Sequence, residues 1–535
     1  MPRRVRVPEQ EVAPVKIPYR NLAAVASQED GMNLNFTYEI RSDANGVNVY
    51  TKKREGITIV SSLSGAGTQV GRGIYSWRRS ADTNDKLIFA LDAAGTTTLY
   101  VDESGVATTT AVSFASSNDV HFVPVSSFDG STTVESLYCF NGANAVKQWT
   151  GANTTTTWTT TASSGVSDVF ATGTYGAFYK NMLVVARTSS NKNRVYFSGV
   201  GTPNVFTAGN SLDFPSEITW LQVFEGSLLI FTKNSIYQVV GSQPNEIVVS
   251  NSTRGLIQKG LPVGTDSGRS VARVGDWLYF WNQDRVWRYN TVELQEVAYP
   301  SFQKTLGSVV KTSSAQFSGA ELNGKYYLSI VYSTGTANNA VVVYDPRKEI
   351  NTWVLHTAPW VHSFTKYRSG ANAVPQLAFV TNSATSRTAK AYIYNGSTVP
   401  LDNTSASTTV AITYQYTSQF LDFGDAHYIK RPRYIFFRTK GVSSLANAIL
   451  KAAQDGGGFS TVLNFTMTSG GFVLDSSVLD TDALSDGNYT ITDVKRLALP
   501  SSRSLAIQLY DVNEAAQTEF YTFDLQIIPK KLKTK

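Results

Sequence analysis

The stretch GDWLYFWNQDRVWRYN, residues 275–290, holds three tryptophans and two tyrosines in sixteen residues. In an extended strand successive side chains point to opposite faces. Over 277–281, Trp277, Tyr279 and Trp281 therefore face one way, and Leu278 and Phe280 the other. Asn282, Gln283, Asp284 and Arg285 supply a polar turn, and Val286, Trp287, Arg288 and Tyr289 form the returning strand. Apolar groups on both faces describe a strand buried between two layers, whereas a sugar-binding platform places its rings on an exposed loop. The cluster reads as architecture, the inside of a fold made of stacked sheets.

The same grammar recurs along the chain: a Gly or polar turn, an apolar strand, a short turn, and a strand ending in Tyr. It appears near 88 (LIFALDAAGTTTLYVDESG), at 137 (LYCFNGANAVKQWTG), 182 (MLVVARTSSNKNRVYFSG), 226 (GSLLIFTKNSIYQVVG), 275, 324 (GKYYLSIVYSTGTANNAVVVYDPRKEINTWVLH) and 376 (QLAFVTNSATSRTAKAYIYNGS). Most of these hairpins are separated by about 45 to 50 residues, the period that a β-propeller leaves in a sequence. VVVYDPRKEINTWVLH, with Pro346 opening the turn and Trp353 entering the next strand, resembles the outer hairpin of kelch-type blades.

From about 405 the pattern changes to TTVAITYQYTSQFLDFG, IKRPRYIFFRTKG, a segment ending in NFTMTSG, and TEFYTFDLQIIP. SSLANAILKAAQDGGG has helical composition, but its QDGGG turn directly before FSTVLNFTM favours a hairpin. The expected fold is mainly β: a β-propeller of six blades, with the seven hairpins leaving open whether some strands belong to a neighbouring unit, and an additional C-terminal β-sandwich or barrel-like domain. The division is a basic N-terminal arm at 1–35, the propeller at 36–404, the C-terminal β domain at 405–528 and a basic tail at 529–535.

Charged residues make up only 16% of the 535 positions, and the net charge of +6 sits at the ends. Arg3, Arg4, Arg6, Lys16 and Arg20 oppose Glu9 and Glu11 in the first twenty residues, while Lys530, Lys531, Lys533 and Lys535 crowd the last six. The body is close to neutral, without the basic excess of a DNA-coating protein. Arg3, Arg4, Arg6, Lys530, Lys531 and Lys533 are candidates for docking onto acidic partners or nucleic acid, the alternative being basic tails that simply stay solvated. The single Cys139 excludes an internal disulfide and reads as a buried small hydrophobe. The start MPRRVRVPEQ lacks the apolar stretch of a signal peptide, and no window is long and apolar enough for a membrane span. Seven N-x-S/T sites, at Asn35, Asn153, Asn251, Asn395, Asn403, Asn464 and Asn488, then reflect only richness in Thr and Asn. Synthesis in a cytoplasm without export is expected.

Motifs that carry chemistry are missing from the sequence. It contains no phosphate loop, no HExxH helix, no GxSxG elbow and no sialidase Asp-box. The four histidines are His121, His356, His362 and His427; of these only His356 and His362 are close in sequence, flanking Pro359, and a metal there is not expected. DTDALSDG (Asp480, Asp482, Asp486) departs from a calcium loop at Leu484 and lacks the closing Glu. No cofactor and no catalytic residue is assigned.

Two passages together carry a family resemblance. In 193–241, NRVYFSGVGTPNVFTAGNSLDFPSEITWLQVFEGSLLIFTKNSIYQVVG, a Ser-Gly-x-Gly-x-Pro turn (Ser198, Gly199, Gly201, Pro203) leads to an apolar strand and a K-x-S-I-Y hairpin (Lys233, Ser235, Ile236, Tyr237) closed by Gly241. The second passage pairs NLAAVASQEDGMNLNFTYEIRSDANGVNVYTKKREGI with TSQFLDFGDAHYIKRPRYIFFRTKG and includes an R-x-G turn, Arg54 and Gly56, with Glu55 where the family has proline. These features resemble the tail nozzle, or tail-hub and packaged-DNA-stabilising, proteins of short-tailed bacteriophages. The resemblance implies a six-fold homomeric ring below the portal and head-to-tail adaptor, lining the DNA exit channel, holding the packaged genome until ejection and carrying tail fibres or spikes. It also implies transient passage of double-stranded DNA and a place in the virion tail after assembly in the host cytoplasm. A near-neutral body suits DNA that slides rather than binds. The alternative from a different class is a glycan-binding or glycan-cleaving propeller, which predicts a pocket with paired carboxylates or an aromatic repeated in several blades.

Overall fold

The computed structural model describes residues 15–530 apart from 27–32, 44–45, 62–68, 104–105, 129, 152–157, 240, 248–256, 259–262, 298–306, 370–372, 383–390, 398–400, 405–407, 424–428, 442–445, 468–490, 498 and 512–517. The chain is nearly all β, with 61% of residues in strands and 4% in helix. The α-helix Asp168–Thr172 is a single short turn between sheets.

Seven four-stranded antiparallel sheets follow one another at 70–114, 121–160, 175–213, 218–258, 272–296, 318–357 and 361–397. The seventh is completed by Gly56–Ser61, which pairs with Ala391–Ser397 from the far end of the chain. Each hairpin singled out in the sequence forms the middle of one sheet. The pair at 376 is no exception, so where six blades are expected the described residues hold seven such sheets. The outer strand of the seventh sheet lies more than three hundred residues upstream of its partner, and no local pattern connects the two.

Packing between the sheets closes on itself. One buried apolar cluster fills each gap, from Leu137 and Ile88 between the first and second sheets to Phe89 and Val380 between the seventh and the first. The first strands touch their neighbours in the same order, with the 3-10 turn Gly268–Ser270 taking part between the fourth and sixth sheets. The arrangement is propeller-like.

The opening stretch shows why alternation produces it. Trp277–Asn282 and Arg285–Tyr289 are the middle strands of the fifth sheet. Tyr279 and Trp281 pack with Tyr326, Leu328 and Phe317 toward the sixth sheet. Leu278 and Phe280 pack with Phe231 and Ile236 toward the fourth. A strand with apolar groups on both faces thus serves two cores, each large side chain contributing roughly 1.5–3 kcal/mol on burial.

Apart from the two-stranded ribbon of Leu401–Asn403 and Thr409–Ala411, the remaining strands form a second unit of two sheets. One runs Phe36–Asp43, Gly46–Lys53, Thr518–Lys530, Ile429–Gly441 and Ile491–Arg496, with Val15–Tyr19 also on Thr518–Lys530. The other runs Gln415–Thr417, Leu505–Asp511, Ala446–Gln454 and Ser460–Met467, so ANAILKAAQ is a strand and its QDGGG turn a hairpin, as the sequence favours. Both sheets share one cluster that includes Phe36, Tyr38, Tyr414, Tyr416, Phe520 and Phe523. The expected boundaries shift accordingly. Residues 15–26 are not an arm, since Val15–Tyr19 is paired and Leu22 is fully buried. Phe36–Lys53 belongs with the C-terminal strands, because its aromatic face completes their core. Residues 1–14 and 531–535 lie outside the described residues.

The chain crosses between the two units at Lys53-Arg54-Glu55-Gly56. Lys53 Nζ meets Asp511 of the second unit at 2.5 Å, both side chains buried. Arg54 meets Asp402, just beyond the seventh sheet, through two hydrogen bonds of 2.8 and 2.6 Å. Asp402 also accepts the Ile57 N–H at 3.1 Å, and Asn35 bonds Thr357 and the Thr413 carbonyl.

Candidate functional site

Inside the ring, the leading ends of the first strands enclose a cavity of about 640 Å³. Arg72 comes from the first sheet, Asp119 and His121 from the entry to the second, Tyr175 from the third, Trp220 from the fourth, and Asp266 and Arg269 from the segment before the fifth. Close approach here depends on glycine. A Cβ on Gly268 would lie 2.4 Å from both the Thr219 carbonyl oxygen and the Trp220 ring, so only glycine lets the turn carrying Arg269 press on the fourth sheet.

Asp119 is the electrostatic centre. Its carboxylate lies 2.9 Å from Arg269, 3.0 Å from His362 Nε2 and 4.0 Å from Arg72, which is itself held by Asp92 at 2.9 Å. Burial acts to raise the Asp119 pKa, but Arg269, His362 and Arg72 outweigh it and hold the carboxyl well below the usual carboxylate range. Burial and the nearby Arg269 lower His362, so a neutral imidazole donates Nε2–H to Asp119. Four sheets or their entries are tied at this one carboxylate.

Beside it stands an aromatic wall drawn from three successive sheets. His121 meets the Trp220 ring edge-on at 4.7 Å, Tyr175 meets Trp220 at 5.6 Å, and His121 lies 6.1 Å from Tyr175. A register shift between Ile218 and Trp220 accompanies the turn of Trp220 into this group. His121 Nε2 is fixed on the Gly176 carbonyl at 2.9 Å, and burial lowers its pKa to about 4. Arg187 lies 5.8 Å over the Tyr175 ring and is paired with Glu217 at 2.5 Å. Burial raises the Tyr175 pKa, so its phenol stays protonated. These groups are pushed away from neutrality in both directions, which suits fixed hydrogen bonding rather than proton transfer near pH 7.

The residues marked in the sequence fall elsewhere. Ser198 is buried and accepts the Leu183 N–H at 2.9 Å, stitching two strands of the third sheet. Ile236 and Tyr237 lie in the fourth sheet, where Tyr237 meets Phe214 at 5.1 Å, and the Gly241 carbonyl accepts from Tyr179 at 3.2 Å. The 193–241 motif therefore spans the packing of third sheet on fourth. Cys139 is fully buried, and burial pushes its thiol well up. His356 and His362 do not converge: His356 sits between the Phe36 carbonyl at 2.8 Å and Tyr394 Oη at 2.5 Å, away from Asp119. Among the described residues no group of three or more His, Cys, Asp or Glu can hold a metal ion. His427, Asp480, Asp482, Asp486, Arg3, Arg4, Arg6, Lys531 and Lys533 lie outside the described residues; Lys530 ends the strand Thr518–Lys530.

The sequence reading misses the cavity. Its groups stand far apart in the chain, and only their common position at the entry of successive first strands links them. Aligning the seven hairpins on their turns would bring NDVHF, TYGAF and ITWLQ into one column.

Comparison with known proteins finds no matching family model and no matching curated protein. Among solved structures the chain is similar to BBS1N, from a crystal of its complex with ARL6DN soaked with lead. Identity is 12% over 65% of this chain and 97% of that one, with a TM-score of 0.37. It is also similar to the extracellular domain of the putative one-component system BT4673 from B. thetaiotaomicron, with 10% identity over 80% of this chain and 57% of that one, and a TM-score of 0.39.

Proposed function

We propose that this chain is a structural virion protein of a short-tailed bacteriophage: a seven-bladed β-propeller joined to a β-sandwich, six copies of which form the distal tail ring that lines and closes the DNA exit channel. The ring retains packaged genome until ejection, and its outer flank carries fibres or spikes. The resemblance of 193–241 and of the Arg54–Gly56 turn to tail nozzle proteins motivates this reading.

The observation that carries it is the double crossing at Lys53 and Arg54. A subunit that holds back compressed DNA bears load across its own joints. Here the buried pair Arg54–Asp402 ties the passage into the ring to the passage out of it, and the buried pair Lys53–Asp511 anchors the preceding strand to the other sheet of the second unit. Breaking such a pair costs far more than breaking a surface one. The basic termini, Arg3, Arg4, Arg6 and Lys530, Lys531 and Lys533, dock onto neighbouring subunits or the adaptor in this scheme. A near-neutral body leaves DNA without a sticky basic track.

A particle made without this chain tests the reading. Heads that package DNA and then lose it, with portal and adaptor in place, are the expected result. Particles that keep their genome without the chain would contradict it.

A further inference from the structure

We propose that the cavity at the centre of the ring is a saccharide-binding site. This inference rests on the cavity alone and does not depend on the proposed place in a virion tail.

The cavity has the size of a small-ligand site, and its volume suits one or two sugar residues. Its charges are largely compensated within the protein. Asp119 is matched by Arg269 and His362, Arg187 by Glu217, and Arg72 by Asp92. A compensated wall does not draw in a polyanion as an uncompensated basic cleft would. It presents rigid polar groups at fixed angles instead, and Asn118 Oδ1 and the hydroxyl oxygens of Thr174 and Ser189, whose donors are held within the protein, add neutral acceptors. Asp119 and Arg269 are already locked in position, so a ligand's hydroxyls need not pay to order them.

The aromatic wall supplies the second requirement. His121, Tyr175 and Trp220 enter from three successive sheets, are each only partly buried, and pack edge-on against one another. A sugar ring offers apolar C–H faces, which pack on aromatic rings, and a rim of hydroxyls, which planar polar groups bind, so a wall that holds both kinds of group matches it. Inorganic phosphate would use the arginines and leave the aromatic wall untouched. A nucleic-acid strand would bring its charge against Asp119 and Asp266. Lys192 at the rim, which makes no ion pair among the described residues, favours a sugar bearing a carboxylate.

A glycan array of neutral and acidic saccharides, probed with the full chain, tests the proposal. Any hit is followed by saturation-transfer NMR on the free sugar. The proposal expects binding by at least one saccharide class, weakened tenfold or more by Trp220→Leu and by Asn118→Ala at unchanged melting temperature. If Trp220→Leu lowers the melting temperature, Asn118→Ala decides alone. Lys192→Ala is expected to weaken acidic sugars more than neutral ones. An array without a hit, binding of equal strength in the folded variants, or binding of phosphate and oligonucleotides in place of sugars would overturn it.

Discussion

The guanidinium of Arg54 meets the carboxylate of Asp402 end-on, its two terminal nitrogens 2.8 and 2.6 Å from the two oxygens. Arg54 precedes the strand that closes the ring, and Asp402 follows the strand it closes against. Each is buried, so removing one leaves the other's charge in the interior. Arg54→Ala or Asp402→Ala is expected to cost about 3–5 kcal/mol, whereas the combined Arg54→Met, Asp402→Leu chain loses less than either single variant. Denaturant unfolding of the three chains measures this. Single variants within about 1 kcal/mol of the parent would show that the pair does not hold the crossing.

Trp281 fills the gap between the fifth and sixth sheets and is fully buried, in edge contact with Phe317 at 5.1 Å. Its indole Nε1 is buried and has no hydrogen-bond partner among the described residues. Trp281→Ala is expected to cost about 3–5 kcal/mol. Trp281→Phe should cost much less, because it keeps most of the ring and removes an N–H that burial penalises. Trp277→Ala, at the partly buried start of the same strand, should cost less than Trp281→Ala. Thermal melts rank the three.

Acid should loosen the molecule before its carboxylates titrate. Burial lowers the pKa of His121 to about 4 and that of His356 to about 3, with Arg54 adding to the burial effect at His356. Above the unfolded value of about 6.5 both states are neutral and the contribution to stability is complete. As pH falls below 6.5 the unfolded chain takes up protons that the folded one refuses. Stability is therefore lost at about 1.4 kcal/mol per pH unit for each histidine, down to its folded pKa. His356→Gln, whose amide can donate to the Phe36 carbonyl and accept from Tyr394, should flatten this slope between pH 6 and 4 by about one proton. An unchanged slope would contradict the assignment.

Removing residues 1–14 is expected to leave folding and melting temperature unchanged while impairing ring assembly, because Arg3, Arg4 and Arg6 go and the strand Val15–Tyr19 stays. Removing 1–20 also strips that strand from Thr518–Lys530 and should lower the melting temperature. Complementation of particles, run beside thermal melts of both truncations, separates the two effects. Full assembly by the shorter truncation would sink the docking role of the arginines.

Where alternation was local, the fold was legible. Trp277 to Trp281 announced a strand serving two cores, and each of the seven hairpins became the centre of a sheet. What escaped was long range. Ile57 reaches its partners around Tyr392 across more than three hundred residues, and Phe36 completes a core most of whose members lie at Tyr414 and beyond. No periodicity encodes either pairing, so the sheet count came out one short and the N-terminal strands were given to the wrong unit. The cavity escaped for the same reason: Asp119, Arg269 and His362 acquire meaning only once the ring closes.

The measurement closest to the central claim is quantitative mass spectrometry of purified virions from the source, referenced to the portal protein. The proposed tail ring predicts this chain at a fixed copy number of about half the portal's, as a six-fold ring below a twelve-fold portal requires. Its absence from virions, or a copy number that varies from preparation to preparation, would contradict the account.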